Sequence, residues 1–184
     1  MTALFALAAL MPTLSGPDTE AFAPGQSIAD EIRAVAGTVA AWVPAGVLKG
    51  DATGDLTSYL LFPDDDVAVL RLTGKQVKAA LERSVSLYPS PNPSFLQVSG
   101  LEVTFRSGAA PDNRIVAVKI GGSDLEEGAS YDVAMPSNLA KGGLGFFTVW
   151  DRRVAPRPVP NSTLEALLKG KSVGARAPRW RKAD

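Results

Sequence analysis

Apolar residues fall into short blocks separated by Gly- and Pro-bearing breaks, and the repeat inside the blocks alternates between about 3.6 and about 2 residues. Ile28, Ile32 and Val35 share one face at helical spacing. They predict a helix opened by Ser27, whose hydroxyl accepts from the N–H of Asp30, and closed at Gly37. Val39 to Val43 is a continuous apolar run stopped by Pro44 and reads as a buried strand. Ala45 to Gly54 is a glycine-containing loop, and Asp55 caps a short helix over Thr57–Leu61, ended by Pro63. Val67 to Leu72 is rich in β-branched residues and predicts a strand. Thr73 then caps a helix from Gly74 to Leu87, with Val77, Ala80, Leu81 and Val85 as its apolar stripe and Lys75, Lys78, Glu82 and Arg83 on the wet side. Pro89 closes it.

Period-2 patterning takes over downstream. Leu101 to Arg106 alternates, and Arg114 to Ile120 pairs with it as a hairpin across a turn at Ala109–Asn113. Gly121-Gly122 makes the next turn, Tyr131 to Met135 another strand, and Lys141 to Gly145 a flexible glycine loop. Phe146 to Trp150 reads as a last apolar strand or a helix start, and Ser162 to Lys169 as a short helix before Gly170. Helices mixed with hairpin strands imply an α+β fold, a mixed sheet packed by a few helices, rather than a doubly wound sheet.

Length and hydrophobic content, 184 residues at 46%, fit one domain with an ordinary core. The expected organisation is a signal peptide over 1–16, a linker over 17–24, the domain over 25–170 and a basic tail over 171–184. The run Thr2–Met11 is shorter than the ~20 residues a membrane span needs but fits a signal-peptide core of ~7–15, with Thr13-Leu14-Ser15 ahead of cleavage. No Lys or Arg precedes it, and the competing reading is a short buried helix. Export is favoured, so a periplasmic or secreted location is expected in preference to a cytoplasmic one. Lys+Arg and Asp+Glu balance at 19 each, so no whole-chain field points to nucleic acid or an anionic membrane. The chain has no Cys and no His. That closes disulfide, thiolate, Ser-His and His-metal chemistry to these residues, and leaves open carboxylate-only chemistry and a Ser-Lys dyad.

Candidate sites are sparse. Asp64-Asp65-Asp66 offers oxygen ligands for a hard cation, but alternate residues of an extended segment point apart, and a solvated turn is the better reading. Gly74-Lys75 superficially matches a phosphate loop, yet Val69 stands where the earlier glycine belongs and Gln76 replaces the Ser or Thr. A helix start after a strand explains it, though its N–H groups would attract an anion. Lys141-Gly142-Gly143 would let backbone N–H groups approach a ligand. Ser137 and Lys141, four apart, are treated as chance. Arg179-Trp180-Arg181 could stack on a base, but a frayed terminus is the better reading.

Four segments in order resemble the C-terminal, non-metal domain of 5'-nucleotidases. Leu70-Arg71-Leu72-Thr73-Gly74, running into Ala80-Leu81-Glu82-Arg83-Ser84, is similar to that family's strand, Leu-Thr-Gly, helix unit. Phe95-Leu96-Gln97-Val98-Ser99-Gly100 is very close to its Phe-Leu-Gln-Val-Ser-Gly signature. Tyr131-Asp132-Val133-Ala134 follows its Tyr-x-Val-Ala, and Asn138-Leu139-Ala140-Lys141-Gly142-Gly143-Leu144-Gly145-Phe146 its Phe-Leu-Ala-x-Gly-Gly-Asp-Gly-Phe. Ala45 to Lys49 with Gly54 to Thr57 resembles its Asn-Gly-Gly-Gly-Ile-Arg … Gly-x-Ile-Thr loop. The match covers Gly25 to Trp150.

The resemblance implies a nucleoside-binding face on this domain and a two-metal phosphatase centre on a separate, His-dependent domain that these residues do not contain. It also implies that ligand-binding positions fall on Lys49, Asp64, Asn138, Lys141, Gly142 and Gly143, with no catalytic residue, metal ligand or cofactor. Several of these depart from the family. Pro44 and Lys49 stand for its Asn and Arg, Asp64 and Asn138 for its two stacking Phe residues, and Leu144 for its Asp. Losing two stacking planes forfeits ~1–3 kcal/mol per base, and Lys cannot reproduce the bidentate Arg fork. The expectation is a non-catalytic domain holding a partner or small ligand. The alternative is the nucleotide-binding subunit of a split 5'-nucleotidase, acting with a separate metallophosphatase chain. Oligomeric state is not set by the sequence.

Overall fold

The computed structural model describes residues 16–151, 153–175 and 177–183. The apolar run at 2–11 and its cleavage motif lie outside them.

The first helix, α1 (Ala23–Ala36), starts four residues before Ser27. Pro24 sits in its first turn, where a missing N–H is harmless, and Gln26 N–H already donates to Phe22 O. Ser27 is therefore inside the helix, and its Oγ accepts from Gly174 N instead of capping. Gly37 ends α1 in the left-handed region, as expected. β1 (Ala40–Pro44) is buried on both faces. Asp55 caps a 3-10 turn over Leu56–Tyr59 by accepting from Thr57 N. β2 (Asp66–Thr73) runs into α2 (Gly74–Val85), whose Thr73 and Gln76 side chains form a reciprocal capping box.

Next come β3 (Leu96–Ser99), the hairpin β4 (Leu101–Phe105) and β5 (Ile115–Ile120), the two-residue β6 (Ser123–Asp124), β7 (Ser130–Pro136) and the single turn α3 (Ser137–Ala140). Phe146–Trp150 is neither strand nor α-helix; a 3-10 turn covers Gly143–Thr148. β8 (Arg157–Thr163), α4 (Leu164–Leu168) and β9 (Trp180–Lys182) complete the chain.

Two mixed sheets result, a five-stranded one in the order β3-β1-β7-β2-β8 and a four-stranded one in the order β6-β5-β4-β9. The five-stranded sheet is the middle layer. Trp42, Leu70, Leu72, Val133 and Met135 face α2 and the smaller sheet, while Ala41, Val43, Val67, Val69 and Ala134 face α1 and α4. The alternation along β1, β2 and β7 divides the apolar residues between two cores, which is why these strands read as near-continuous hydrophobic runs.

The segment expected as a basic, frayed tail is built into the fold. Trp180 is buried against Phe95, ring centroids 4.8 Å apart, and its indole N–H donates to Leu96 O. Arg179 grips Asp30 with both Nη2 contacts, at 2.8 and 2.9 Å, and donates to Val98 O. Residues 17–24 are likewise docked rather than linker-like. Gln97 Nε2 donates to Pro17 O and Glu20 O, and Gln97 Oε1 accepts from Phe22 N.

Candidate functional site

Strand polarity brings four loops to one end of the larger sheet. β1 and β7 are parallel and both end there; β3 and β2 run antiparallel to them and both begin there. The rim therefore consists of residues 45–49, 61–65, 93–95 and 137–148. All six family-matched positions lie on it. The side chains of Lys49, Asp64, Asn138 and Lys141 are exposed.

Asp65, which sequence reasoning left inside an acidic turn, ties two of these loops together. Its Oδ2 accepts from Asn138 N at 3.2 Å and its Oδ1 from Asp66 N at 3.0 Å, and its carbonyl accepts from Leu164 N. Burial pushes the Asp65 carboxyl above the ordinary carboxylate value; the Asn138 and Asp66 amides and the Lys141 charge pull it back. Asp64 and Asp66 are exposed on either side.

The glycine loop is pinned rather than flexible. Gly142 N–H donates to Leu139 O, Lys141 N–H to Ser137 O, and Phe147 N–H to Gly142 O. A Cβ at Gly142 would come within 2.8 Å of Phe147 Cβ, and one at Gly143 within 2.8 Å of Asn138 O. The need for glycine here thus comes from the chain's own packing. Leu144 follows at φ 53°, a left-handed conformation that is uncommon without a Gly or a short polar side chain. Its carbonyl is held by Arg83 Nε at 3.2 Å, Arg83 Nη2 at 2.6 Å and Ser94 Oγ at 3.1 Å. Arg83 also lies over the Phe146 ring, 5.4 Å from its centroid. Periodicity alone placed Arg83 on a wet helix face; the only sequence signal for its task was the odd Leu at 144.

The Leu144 side chain stands against Gly46, so the 45–49 and 137–148 loops touch. Beside it lies a cleft of about 430 Å³ lined by Arg83, Leu87, Pro93, Ser94 and Leu144. The rim also carries exposed apolar residues: Leu61 is 47% accessible, Phe62 56%, Leu144 37% and Phe147 51%.

The start of α2 is no anion site, because Gly74 N–H donates to Ala129 O and Lys75 N–H to Glu127 O. Nor do these residues fit the two-metal centre that the resemblance implies. The sequence has no imidazole, and among the described residues no three Asp or Glu side chains converge on one point.

Comparison with known proteins shows the family and the fold. The family pattern described as "5'-nucleotidase, C-terminal domain" matches residues 13–152. The chain belongs to that family. A trifunctional nucleotide phosphoesterase of Bacillus subtilis is 34% identical over 110 residues, which is 56% of this chain and 8% of the relative. A snake venom 5'-nucleotidase of Macrovipera lebetinus is 32% identical over 100 residues, 50% of this chain and 24% of the relative. Among solved structures, a 5'-nucleotidase precursor from Thermus thermophilus superposes with a TM-score of 0.74 at 27% identity, covering 89% of this chain and 36% of that one. This 5'-nucleotidase C-terminal domain therefore spans well under half the length of each of these three proteins.

Proposed function

We propose that this 5'-nucleotidase C-terminal domain acts by holding rather than cutting, with the four-loop rim as its binding face. The carrying observation is the pairing of a braced rim with side chains that supply no phosphatase centre. Arg83, Ser94 and Asp65 fix the loops, while Phe62, Leu144 and Phe147 offer apolar contact and Lys49 and Lys141 offer charge. Such a surface suits a partner module or a small ligand with one flat apolar part and one anionic part. Purified chain supplied with divalent metal should release no phosphate from AMP. Turnover abolished by substituting one of its own acids would refute the reading.

Exposed Phe62 favours a second reading, in which the domain presents a nucleotide to a metallophosphatase module on another chain. Phe62 lies two residues before Asp64, so an aromatic plane persists on the loop although the matched position has lost one. Calorimetry of adenosine against the chain, alone and mixed with such a module, separates the two: no heat in either case removes the second. An extracytoplasmic location accompanies both readings, supported by the apolar run at 2–11 and by the venom relative; cell fractionation tests it.

A further inference from the structure

The opposite end of β1 carries a different surface. The five residues of β1 separate the two ends by roughly 13 Å at ~3.3 Å per residue. There a cleft of about 510 Å³ opens between the end of α1, the β3–β4 turn, the turn after β5 and the segment leading into β9. Its walls are cationic: Arg33, Lys119, Arg179 and Arg181 all line it, against the single carboxylate of Glu102.

The cations are of two kinds. Arg33 and Arg179 are fixed at the base. Arg33 Nε donates to Ser99 Oγ at 2.8 Å, Ser99 Oγ donates to Asp30 Oδ1 at 2.5 Å, and both Asp30 oxygens accept from Arg179 Nη2. One carboxylate thus orients two guanidiniums and leaves an excess positive charge. Lys119 and Arg181 are exposed at the mouth. Arg181 meets Glu102 only loosely, at 3.8 Å, with both side chains more than half accessible. Gly121 and Gly122 border the cleft at φ 58° and 88°, a pair of left-handed residues whose backbone comes close to any occupant. Fixed guanidiniums, exposed cations and a side-chain-free turn are the components of an oxyanion site.

We infer that this cleft binds a compact, multiply charged oxyanion, a phosphate or the phosphate group of a small molecule. The site is separate from the rim and does not depend on what the rim holds. The chain as a whole is neutral, so the cationic wall is a local concentration rather than a reflection of composition.

The test is an amide NMR titration of the full chain with inorganic phosphate and pyrophosphate at constant ionic strength. Gly100, Gly121 and Gly122 should shift saturably, while Gly46, Gly142 and Gly143 on the rim stay still. Lys119→Ala and Arg181→Gln alter exposed side chains and should leave the fold intact; together they should weaken pyrophosphate binding about tenfold or more, as loss of two charge-assisted contacts implies. Affinity should fall as salt rises. The inference is overturned if chloride at equal ionic strength gives the same shifts, if the rim glycines move instead, or if the double variant binds as well as the parent.

Discussion

Two segments of this domain carry the same family pattern and use it differently. In Phe95–Gly100 every side chain is buried and employed: Phe95 packs on Trp180, Gln97 binds three backbone groups of residues 17–22, and Ser99 links Asp30 to Arg33. In Asn138–Gly145 the backbone is equally well braced, but Asn138, Lys141 and Leu144 face outward. The signature easiest to recognise is thus a structural girdle, its side chains engaged inside the fold. Asn138 and Leu144, both exposed, are positions where the chain departs from the pattern. Resemblance of the first kind certifies a fold; only the second kind bears on chemistry.

If that contrast is right, the girdle should tolerate least. Gly100 sits at φ 72°, and a Cβ there would overlap the Val39 carbonyl oxygen. Gly100→Ala should destabilise by at least ~3 kcal/mol, combining left-handed strain with backbone displacement, and lower Tm by roughly 6–12 °C for a chain of this size. Gly128→Ala, with open space around its Cβ, is the control and should stay within ~0.5 kcal/mol. Equal melting curves for the two would dissolve the distinction. Gln97→Ala comes next. It leaves Phe22 N, Pro17 O and Glu20 O without their partner, and a loss of ~2–4 kcal/mol is expected by urea unfolding.

The sequence disclosed the elements whose pattern is local. α2 with its Thr73 cap, the β4–β5 hairpin and β7 all follow from period and turn residues. What stayed hidden depends on distant partners. β8 contains Pro158 and Pro160, which argue against a strand until its place at the sheet edge is known. β3 is buried on both faces and so does not alternate. β9 and the Arg179 guanidinium are held by residues about 80 to 150 positions earlier, which no window along the chain can anticipate. On the rim, the family-matched positions could be named from the sequence, but the bracing by Asp65 and Arg83 could not. Their roles are contacts to backbone groups of another loop, and a backbone partner leaves no mark in the sequence.

The outward-facing segment should be permissive toward gain. Restoring aromatic planes with Asp64→Phe and Asn138→Phe replaces two exposed polar side chains and should cost little stability. If the rim holds a nucleoside, each plane should tighten adenosine binding by ~1–3 kcal/mol, roughly 5- to 150-fold, by calorimetry. A double variant that binds no better than the parent would move the ligand face elsewhere and leave the rim as a partner surface.

The smallest effects are electrostatic, and they sharpen the comparison by their sign. Asp55 and Asp65 both hold loops, in opposite ways. The Asp55 carboxylate accepts from the Thr57 hydroxyl first and from Gly170 N next, and these bonds bring it below its ordinary 3.8. Its contribution is present above pH 3.8 and is lost as pH falls through the lower folded value. Asp65 is raised above 3.8 mainly by burial. Its contribution is complete below that pH and declines as pH rises through the higher folded value, because the charged form is the one burial disfavours. Urea unfolding over an acid pH series should therefore show the parent's margin over Asp55→Asn shrinking toward low pH, while its margin over Asp65→Asn shrinks toward high pH. Slopes of the same sign would mean that Asp65 is as well solvated as Asp55 and that the clamp between the 61–65 and 137–148 loops is open in solution. The rim would then be a set of independent loops, and its binding face would have to form around the ligand rather than precede it.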